Sequence, residues 1–562
     1  MGRCQKGMNE DLTRYVRDVM KSLQSERGWQ DQELPEIELV ITKDPAHGDF
    51  ATNLAFRLAK LAKAKPSDVA KDLVLRMQSG EYAQSHQGLI EHIEIAGAGF
   101  INFYLTKKTM GTALQDVLRD DAHYGMSQFG KGKKVLVEYV SANPTGPLTI
   151  AHGRQAAIGD SLVRILRATG HEVQAEYYLN DAGRQMRLLG ESLWVRYQNL
   201  FGKNIAMPEE GYQGHYLIAM AEQTKARHGD ALLKKNGDEA VRECTRIACD
   251  VMMAEIRRDL DQMRVHFDSY FSEGQLYANK EVDKTLDVLK EKKFLYEQDG
   301  ALWFRSTEFG DDKDRVVRKS SGEMTYLAPD IAYHRYKFSR GFNWLVNLLG
   351  PDHHGYVPRL KAACQALGFN PDQLDVRIVQ LCTLYRQGEP VRMSTRAGEF
   401  VSLAELTQEV GADAARFFFI MRRTESHLDF DLDLAKEKSQ ENPVYYLQYA
   451  HARIASLLAY AGREVLKDVR FDLLASDQEA QLIKRILEYP KILISASELL
   501  EPYRLADYLR ELAVCFHKFY SAHRIVGDDA ELTKARLLLS DAARIVLRNG
   551  LELLGISQPE SM

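Results

Sequence analysis

Asn143-Pro144-Thr145-Gly146-Pro147-Leu148-Thr149-Ile150-Ala151-His152-Gly153-Arg154 is a loop rich in proline and glycine that joins two segments of different periodicity. Before it, residues 135–140 are short, apolar and β-branched, which predicts a buried strand. After it, residues 153–168 place apolar side chains at helical spacing, and residues 172–179 predict a second strand. The three segments predict a βαβ unit. The loop between strand and helix suits a backbone that approaches an anion closely at a helix N-terminus.

The length and composition of the chain limit the kinds of protein that it can be. A chain of 562 residues is expected to form several domains. The net charge of −5 means that a nucleic-acid partner would need local basic patches. The six cysteines show no CxxC spacing, which favours a reducing compartment over a cysteine zinc site. We expect a cytoplasmic protein, because neither a signal peptide nor an apolar run of about 20 residues is present.

The loop resembles the one that carries the HIGH motif in class I aminoacyl-tRNA synthetases. The wider run 138–160 resembles the arginyl-tRNA synthetase family in particular. Thr149 stands where the family usually has the first histidine of the motif, so His152 alone is kept. The resemblance implies catalytic roles for His152 and Thr149, and it implies that ATP contacts Pro144, Gly146, His152 and Gly153.

A second run, 389–398, resembles the KMSK loop of the same class. Activation of a carboxylic acid by ATP is an in-line attack on the α-phosphate, so positioned cations and N–H donors accelerate the loss of pyrophosphate. The resemblance implies that Arg392, Ser394 and Arg396 act in catalysis and that Met393 contacts ATP. Thr395 stands where the family has its second lysine, and Gly146 stands where some members carry a substitute. How the missing cations are replaced stays open. For the tetrapeptide Arg392-Met393-Ser394-Thr395 taken alone, the alternative is a polar surface turn.

The amino-acid pocket is implied by the same resemblance, which points to Glu138, Asn143, Tyr326 and Asp330. A guanidinium is a planar fork that pairs bidentately with carboxylates. A substrate without that fork would leave buried acceptors unpaired, which rejects analogues by orders of magnitude. The alternative for Asp330 is a helix cap or an ion pair with Arg335 or Arg318.

The run 350–355 contains Asp352-His353-His354 and follows another predicted strand. Such a triplet occurs in a class of metal-dependent phosphoesterases. That class needs further metal-ligating aspartates, which are not found in the sequence. We expect Asp352 and His353 to line the ATP pocket instead. We predict no metal site built by the protein, and Mg²⁺ is expected to accompany ATP.

The C-terminal part is predicted to be a helical bundle, with helices over 442–464, 476–488, 504–522 and 532–554. Its first helix presents tyrosines beside cations, which suits the stacking of bases and the holding of phosphates. An ordinary core-and-surface helix is the alternative. The run 442–454 resembles the anticodon-binding domain of the arginyl family, which implies that tRNA is contacted by Tyr446, Gln448, Tyr449 and Arg453.

The fold class predicted for the whole chain is multidomain α/β. Its catalytic core is a split, doubly wound, Rossmann-like parallel sheet with a helical insertion around 187–293. An N-terminal α+β domain contacts tRNA by resemblance, and an all-α bundle ends the chain. We place the domains at 1–115, 116–402 and 441–562, with a helical connector over 403–440. Residues 50–63 are predicted as one helix, and residues 376–384 as one strand.

The function implied by the resemblance is arginine–tRNA ligation. Arginine and ATP would form arginyl-adenylate, and the arginine would pass to the terminal ribose of tRNA-Arg. The protein is expected to act as a monomer without a membrane partner. Two alternatives remain at this stage: a tRNA-binding paralogue without catalysis, motivated by Thr149 and the altered second loop, and a class I synthetase or nucleotidyltransferase for another substrate.

Overall fold

The computed structural model describes residues 8–42, 47–85, 88–391, 401–462 and 469–562. The second predicted catalytic loop, with Arg392, Met393, Ser394 and Arg396, lies outside these ranges. No helix within the ranges combines the length and the apolar character that crossing a bilayer requires.

A small α+β unit comes first. The elements are α1 (Met8–Glu26), β1 (Val40–Ile41), β2 (Phe50–Thr52), α2 (Leu54–Ala62), α3 (Pro66–Met77), α4 (Gly80–Ser85), β3 (Ile90–Ala96), β4 (Phe100–Leu105) and α5 (Lys107–Asp120). The four strands form an antiparallel sheet in the order β1-β2-β4-β3. The helix predicted over 50–63 was wrong at its start, because Phe50 pairs with Phe103 and extends the sheet.

The central part alternates strands and helices. Its elements are β5 (Lys134–Glu138), α6 (Ile150–Ala168), β6 (Glu172–Leu179), α7 (Arg184–Asn199), α8 (Tyr216–His228), α9 (Gly237–Gln262), β7 (Ser269–Ser272), α10 (Glu273–Ala278), α11 (Glu281–Glu291), β8 (Leu295–Gln298), β9 (Ala301–Phe304), β10 (Arg315–Arg318), α12 (Leu327–Ser339), β11 (Trp344–Leu349), α13 (Val357–Leu367) and β12 (Leu374–Ile378). The helix after the proline-rich loop begins at Ile150, three residues before the predicted start.

Five parallel strands form the core sheet, in the order β12-β11-β5-β6-β7. Both predicted βαβ units are present, and they meet where β5 lies beside β11. The strand β7 was not predicted, because it is short and follows a long helical stretch. The sheet confirms the predicted doubly wound core, and β8, β9 and β10 form a separate antiparallel sheet.

The remainder is mostly helical. Its elements are β13 (Cys382–Arg386), β14 (Glu389–Pro390), α14 (Leu403–Val410), α15 (Ala412–Ile420), β15 (Leu428–Asp431), α16 (Leu432–Lys436), α17 (Pro443–Ala461), α18 (Asp477–Leu487), α19 (Tyr489–Glu498), α20 (Tyr503–Ala522) and α21 (Ala530–Leu553). The single strand predicted over 376–384 was wrong: β12 and β13 belong to different sheets. The helix α19 begins directly after α18 and has Pro490 in its first turn. It was not predicted, because the apolar pattern does not separate it from α18.

Two buried arginines tie the central helix α6 to distant parts of the chain. Arg154 is fully buried, and its guanidinium donates to the carbonyls of Gln380, Arg423 and Ser426 at 2.7–3.0 Å. Arg416 on α15 donates to Asp160 at 2.6 Å and to the carbonyl of Leu554 at 2.8 Å. Because unpaired buried charges are costly, these bonds fix α6 in place.

Candidate active site

The crevice between the ends of β5 and β11 is the expected ligand site of an open parallel sheet. The connections from these two strands lead to opposite faces, so their outgoing loops separate. The proline-rich loop 139–149 leaves β5, and the turn 350–356 leaves β11. The first of these loops leads into the N-terminus of α6.

His152 is held in the first turn of α6 by a reciprocal cap. The backbone N–H of Thr149 donates to Nδ1 of His152 at 3.1 Å, and the Thr149 hydroxyl lies 3.1 Å from the same nitrogen. Burial lowers the pKa of His152 to about 4, against a smaller opposing effect of Asp352. The imidazole is therefore neutral at pH 7, and Nδ1 acts as an acceptor. The proton lies on Nε2, which leaves this atom as a donor.

The glycines of the loop have different environments. A Cβ on Gly153 would lie 2.5 Å from Leu403, so this position is required for packing against α14. The N–H of Gly153 donates to the carbonyl of Thr149 at 3.0 Å and is not free for a phosphate. A Cβ on Gly146 would make ordinary contact with Tyr216, and Pro144 is buried beside it in the chain. The hydroxyl of Tyr216 donates to the carbonyl of Thr145 at 2.6 Å and fixes the loop.

The backbone is strained where the chain leaves β5. Val140 has φ +66° and Ser141 has φ +40°, a left-handed conformation that is costly for a β-branched residue. The sharp turn places the Ser141 hydroxyl against Glu138, to which it donates at 3.2 Å. Strain of this kind is retained where a site requires it.

A row of buried polar side chains crosses the sheet beneath the crevice. Glu138 of β5 is in register with Asn347 of β11 and with Glu176 of β6. The helix α12 covers this row with its own polar face. Tyr333 donates to Glu176 at 2.7 Å, and the fully buried Lys337 pairs with Glu138.

Asp330 lies one turn before this polar face of α12. The hydroxyl of Tyr356 donates to its carboxylate at 2.5 Å. The pKa of Asp330 is raised to about 7, mainly by burial and also by the carboxylates of Glu138 and Glu273, while Tyr356 and Lys337 oppose this effect. The alternative ion pair with Arg335 is wrong, because Arg335 pairs with Glu281 at 3.3 Å.

The structure brings Glu138, Asp330 and His152 to the same crevice. Glu138 and Asp330 lie close enough for the charge of one to shift the pKa of the other. Tyr356, which contacts Asp330, ends the turn that carries Asp352, and the Asp352 carboxylate shifts the pKa of His152. Acidic side chains with tyrosine partners thus lie near a helix N-terminus that carries a neutral donor.

Other predicted residues lie at the rim. Asn143 is exposed, and its amide donates to Gln185 at 2.7 Å. Tyr326 precedes α12 and is 68 % exposed. Asp352 and His353 are exposed on the turn after β11, with 3.3 Å between His353 Nε2 and Asp352 Oδ2. Glu273 was missed by sequence reasoning, although it is buried and accepts from Tyr178 at 2.8 Å.

The predicted tRNA-contacting residues on α17 have different surroundings. Arg453 donates to the hydroxyl of Tyr449 at 2.8 Å, and both line an open cavity of about 650 Å³ with Tyr520. The ring of Tyr446 lies 4.6 Å from that of His517. Gln448 instead donates to Asp413 at 2.9 Å and to Ser557 at 3.1 Å, so its amide is already used in packing.

Comparisons with known proteins agree with this architecture. Family models match three parts of the chain: the arginyl tRNA synthetase N terminal domain at 10–105, the catalytic domain of class I (R) tRNA synthetases at 113–429, and the DALR anticodon binding domain at 447–562. The fold and its crevice therefore define a class I aminoacyl-tRNA synthetase.

Curated relatives narrow the class to a family. The chain is 48% identical over 537 residues to arginine–tRNA ligase 1 of Halalkalibacterium halodurans, and this alignment covers 95% of each chain. It is 45% identical over 560 residues to arginine–tRNA ligase of Syntrophotalea carbinolica, with 99% of this chain and 100% of that one covered. The chain belongs to the arginyl-tRNA synthetase family. The arginyl-tRNA synthetase structure of Thermus thermophilus shares the fold, with a TM-score of 0.76 at 21% identity over 98% of this chain and 99% of that one.

Proposed function

We propose that this enzyme activates arginine with ATP to arginyl-adenylate and transfers the arginine to the 3′ end of tRNA-Arg. The observation that carries the proposal is that two neighbouring carboxylates, those of the buried Glu138 and the half-buried Asp330, lie in a crevice next to the N-terminus of α6. Family membership and the names of the curated relatives support the same activity.

The proposed chemistry assigns distinct tasks to the two sides of the crevice. Glu138 and Asp330 accept the N–H groups of the substrate guanidinium, and Tyr326 and Asn143 cover the substrate from the rim. His152 donates from Nε2 to the phosphate oxygens as negative charge develops during loss of pyrophosphate. Mg²⁺ arrives with ATP as part of the substrate. The N-terminus of α6 adds the usual attraction for anions.

The proposal changes two of the roles expected at the nucleotide, those of Thr149 and Gly153. Thr149 caps α6 and orients His152, so we propose a positioning role in place of direct catalysis. Gly153 packs against Leu403, so we assign the close approach to ATP to Pro144 and Gly146. Asp352 and His353 stay candidates for the ATP contact because they are exposed at the crevice. Arg392, Met393, Ser394 and Arg396 stay predictions from resemblance.

The experiment that tests this function is a charging assay with the full chain, bulk tRNA, ATP and a panel of labelled amino acids. We expect charging with arginine alone. Binding of tRNA without charging would favour the paralogue that lacks catalysis. Charging with another amino acid would favour a synthetase of different specificity.

The affinity for arginine should depend on pH through Asp330. Its pKa is about 7 in the protein as described, whereas binding of a cation requires the ionised carboxylate. The KM for arginine should therefore rise about tenfold per pH unit below 7 and level off above it. The groups that face Asp330 include Tyr356, Glu138, Glu273 and Lys337. The check is the KM measured between pH 5.5 and 8.5.

A matched variant tests whether Asp330 is the group that causes the pH dependence of the KM for arginine. Asp330→Asn keeps the shape of the side chain and removes the titrating proton, so the pH dependence of its KM should be flat. His152 does not interfere, because its pKa of about 4 keeps it neutral over this range. A wild-type KM that is constant from pH 5.5 to 8.5 would contradict the assignment.

The cavity beside α17 is the proposed site for part of the tRNA. Tyr449 and Tyr520 offer ring faces for stacking, and the Arg453 guanidinium lies 4.8 Å and 4.5 Å from their centroids. A stacked base is worth about 1–3 kcal/mol, and an arginine near the phosphate adds to it. We keep Tyr446 in the proposed surface. Gln448 leaves it, because its amide bonds hold α17 to Asp413 and Ser557.

Arg453→Met should raise the KM for tRNA about tenfold and leave the KM values for arginine and ATP within about twofold. The measurement is charging kinetics with each substrate varied in turn. Arg510→Met is the matched control, since Arg510 is a half-exposed arginine three turns before Tyr520 on α20. An unchanged KM for tRNA in Arg453→Met would exclude this cavity from the tRNA surface.

The remaining expectations stand as parts of the same proposal. The described cysteines are free thiols, which supports a reducing, cytoplasmic location. We propose the domain limits 1–115, 116–402 and 441–562 with a connector over 403–440, although the catalytic family model continues to residue 429. A monomer would carry the complete crevice, because Glu138, His152 and Asp330 come from one chain.

A further inference from the structure

A lysine without solvent exposure lies directly beneath the proposed arginine pocket. The ammonium group of Lys337 contacts the Glu138 carboxylate, and it donates to Asn347 Oδ1 at 3.2 Å. It also lies 4.1 Å from the ring centroid of Tyr333. A buried ammonium is costly unless its donors are satisfied. Lys337 meets this requirement through a carboxylate, an amide oxygen and an aromatic ring.

The contacts continue from Lys337 to the backbone of Asp330. Since Asn347 Oδ1 accepts from Lys337, its amide nitrogen is the donor toward His334 Nε2, at 2.9 Å. His334 then carries its proton on Nδ1 and donates to the carbonyl of Asp330 at 2.8 Å. Burial, followed by the charge of Lys337, lowers the pKa of His334 to about 3, so this residue stays neutral. The direction of each hydrogen bond in the network is thus defined.

The network connects the Glu138 carboxylate with the backbone of Asp330, and both residues are assigned to the substrate. Glu138 is held at the end of β5, and Asp330 is held on α12, with Lys337 two turns further along the same helix. Because Lys337 pairs through Glu138 Oε2, its position fixes the orientation of that carboxylate. Glu273 also lies near Asp330, so without Lys337 the pocket would hold three carboxylates and no neighbouring lysine.

We propose that Lys337 is a positioning residue for arginine recognition, which holds Glu138 in its binding orientation and cancels one of the carboxylate charges of the pocket. The inference rests on the proposed function and adds to it a residue that does not touch the substrate. Two carboxylate charges then remain to attract the guanidinium. Loss of Lys337 should weaken arginine binding and leave the ATP side of the crevice intact, because Glu138 is no longer held in place and Asp330 ionises less readily.

The test is charging kinetics of Lys337→Met and Lys337→Gln in the full chain, with arginine and ATP varied separately. We expect the KM for arginine to rise about 10- to 100-fold, as a misplaced binding group does, with the KM for ATP within about twofold. The pH midpoint of the arginine KM should move upward, because the lysine charge that favours ionised Asp330 is gone. Arg335→Met is the control on the same helix, since Arg335 pairs with Glu281 away from the pocket.

A merely structural lysine would give a different pattern. Such a residue would lower the melting temperature and change both KM values together, or neither, without a shift of the pH midpoint. Either pattern would overturn the proposal. A wild-type protein that charges no tRNA with arginine would instead overturn the proposed function, so the two failures are distinguishable.

Removing Lys337 alone leaves Glu138 unpaired and can prevent folding. The double variant Glu138→Gln/Lys337→Met has no unpaired charge at this position and is compared with Glu138→Gln. Lys337 also favours ionised Asp330, so the comparison is made at high pH, where Asp330 is ionised in both variants. If Lys337 positions Glu138, the two variants should then share the same KM for arginine within about twofold. A further rise in the double variant at high pH would overturn the proposal.

Discussion

Replacing Asp330 by alanine should raise the KM for arginine by about two to three orders of magnitude, because truncating one partner of a buried charged pair costs about 2–5 kcal/mol. The guanidinium would lose its carboxylate on α12 and keep the one on β5. The KM for ATP should stay within about twofold, since the nucleotide is assigned to the other side of the crevice. Initial charging rates with each substrate varied measure both values.

The melting temperature of Asp330 variants distinguishes a binding role of this residue from a structural one. The folded-state pKa of Asp330 is raised above its ordinary value, so ionisation between about pH 4 and 7 lowers the stability of the empty protein. Asp330→Asn removes that cost and should keep or raise the melting temperature at pH 7.5, while its KM for arginine rises. A variant with an unchanged KM and a lower melting temperature would identify Asp330 as structural.

Replacing His152 by alanine should lower kcat about 10²- to 10³-fold, the usual effect of removing a single donor to a developing oxyanion. The structural cost should be far smaller. The lost cap to Thr149 is worth about 1 kcal/mol. Single-turnover formation of arginyl-adenylate, together with a melting curve, measures both consequences.

A second substitution at this position isolates the cap. Thr-x-x-Glu is an ordinary capping box, so His152→Glu should restore the bond from the Thr149 N–H and the melting temperature of the wild type. An ionised glutamate has no proton to donate to a phosphate, and kcat should stay low. If His152→Glu recovered both quantities, His152 would be a cap and no more.

The parts of the fold that depend on local periodicity were predictable. The strand at 172–179 and the βαβ units follow from short apolar runs next to helical patterns, and the structure confirms them. The strand at Phe50–Thr52 was not predictable in this way, because it depends on pairing with β4 about fifty residues later. The strand β7 likewise depends on its partner β6.

The site shows the same division. Glu138, His152 and Asp330 were identified from motifs, and they share one crevice. The row formed by Glu138, Asn347 and Glu176 could not be predicted, because its register joins three strands that are distant in sequence. One signal was present: Asp330, His334 and Lys337 are polar at helical spacing on a largely buried helix. Such a stripe indicates a polar partner inside the protein.

Two expected roles changed for steric and hydrogen-bonding reasons. Gly153 resembled a phosphate-approach glycine, but the space beside its Cα is filled by Leu403. Thr149 looked like a lost donor, whereas the structure shows it as the cap that fixes the tautomer of its neighbour His152. Contacts of this kind depend on packing between segments about 250 residues apart or on ring orientation, which a motif does not encode.

The most direct measurement of the central claim is a crystal structure of the full chain with a non-hydrolysable arginyl-adenylate analogue. We predict that the guanidinium lies within about 3.2 Å of carboxylate oxygens of both Glu138 and Asp330, with the phosphate analogue within the same distance of His152 Nε2. An analogue bound elsewhere, or one whose guanidinium points away from these two carboxylates, would contradict the account.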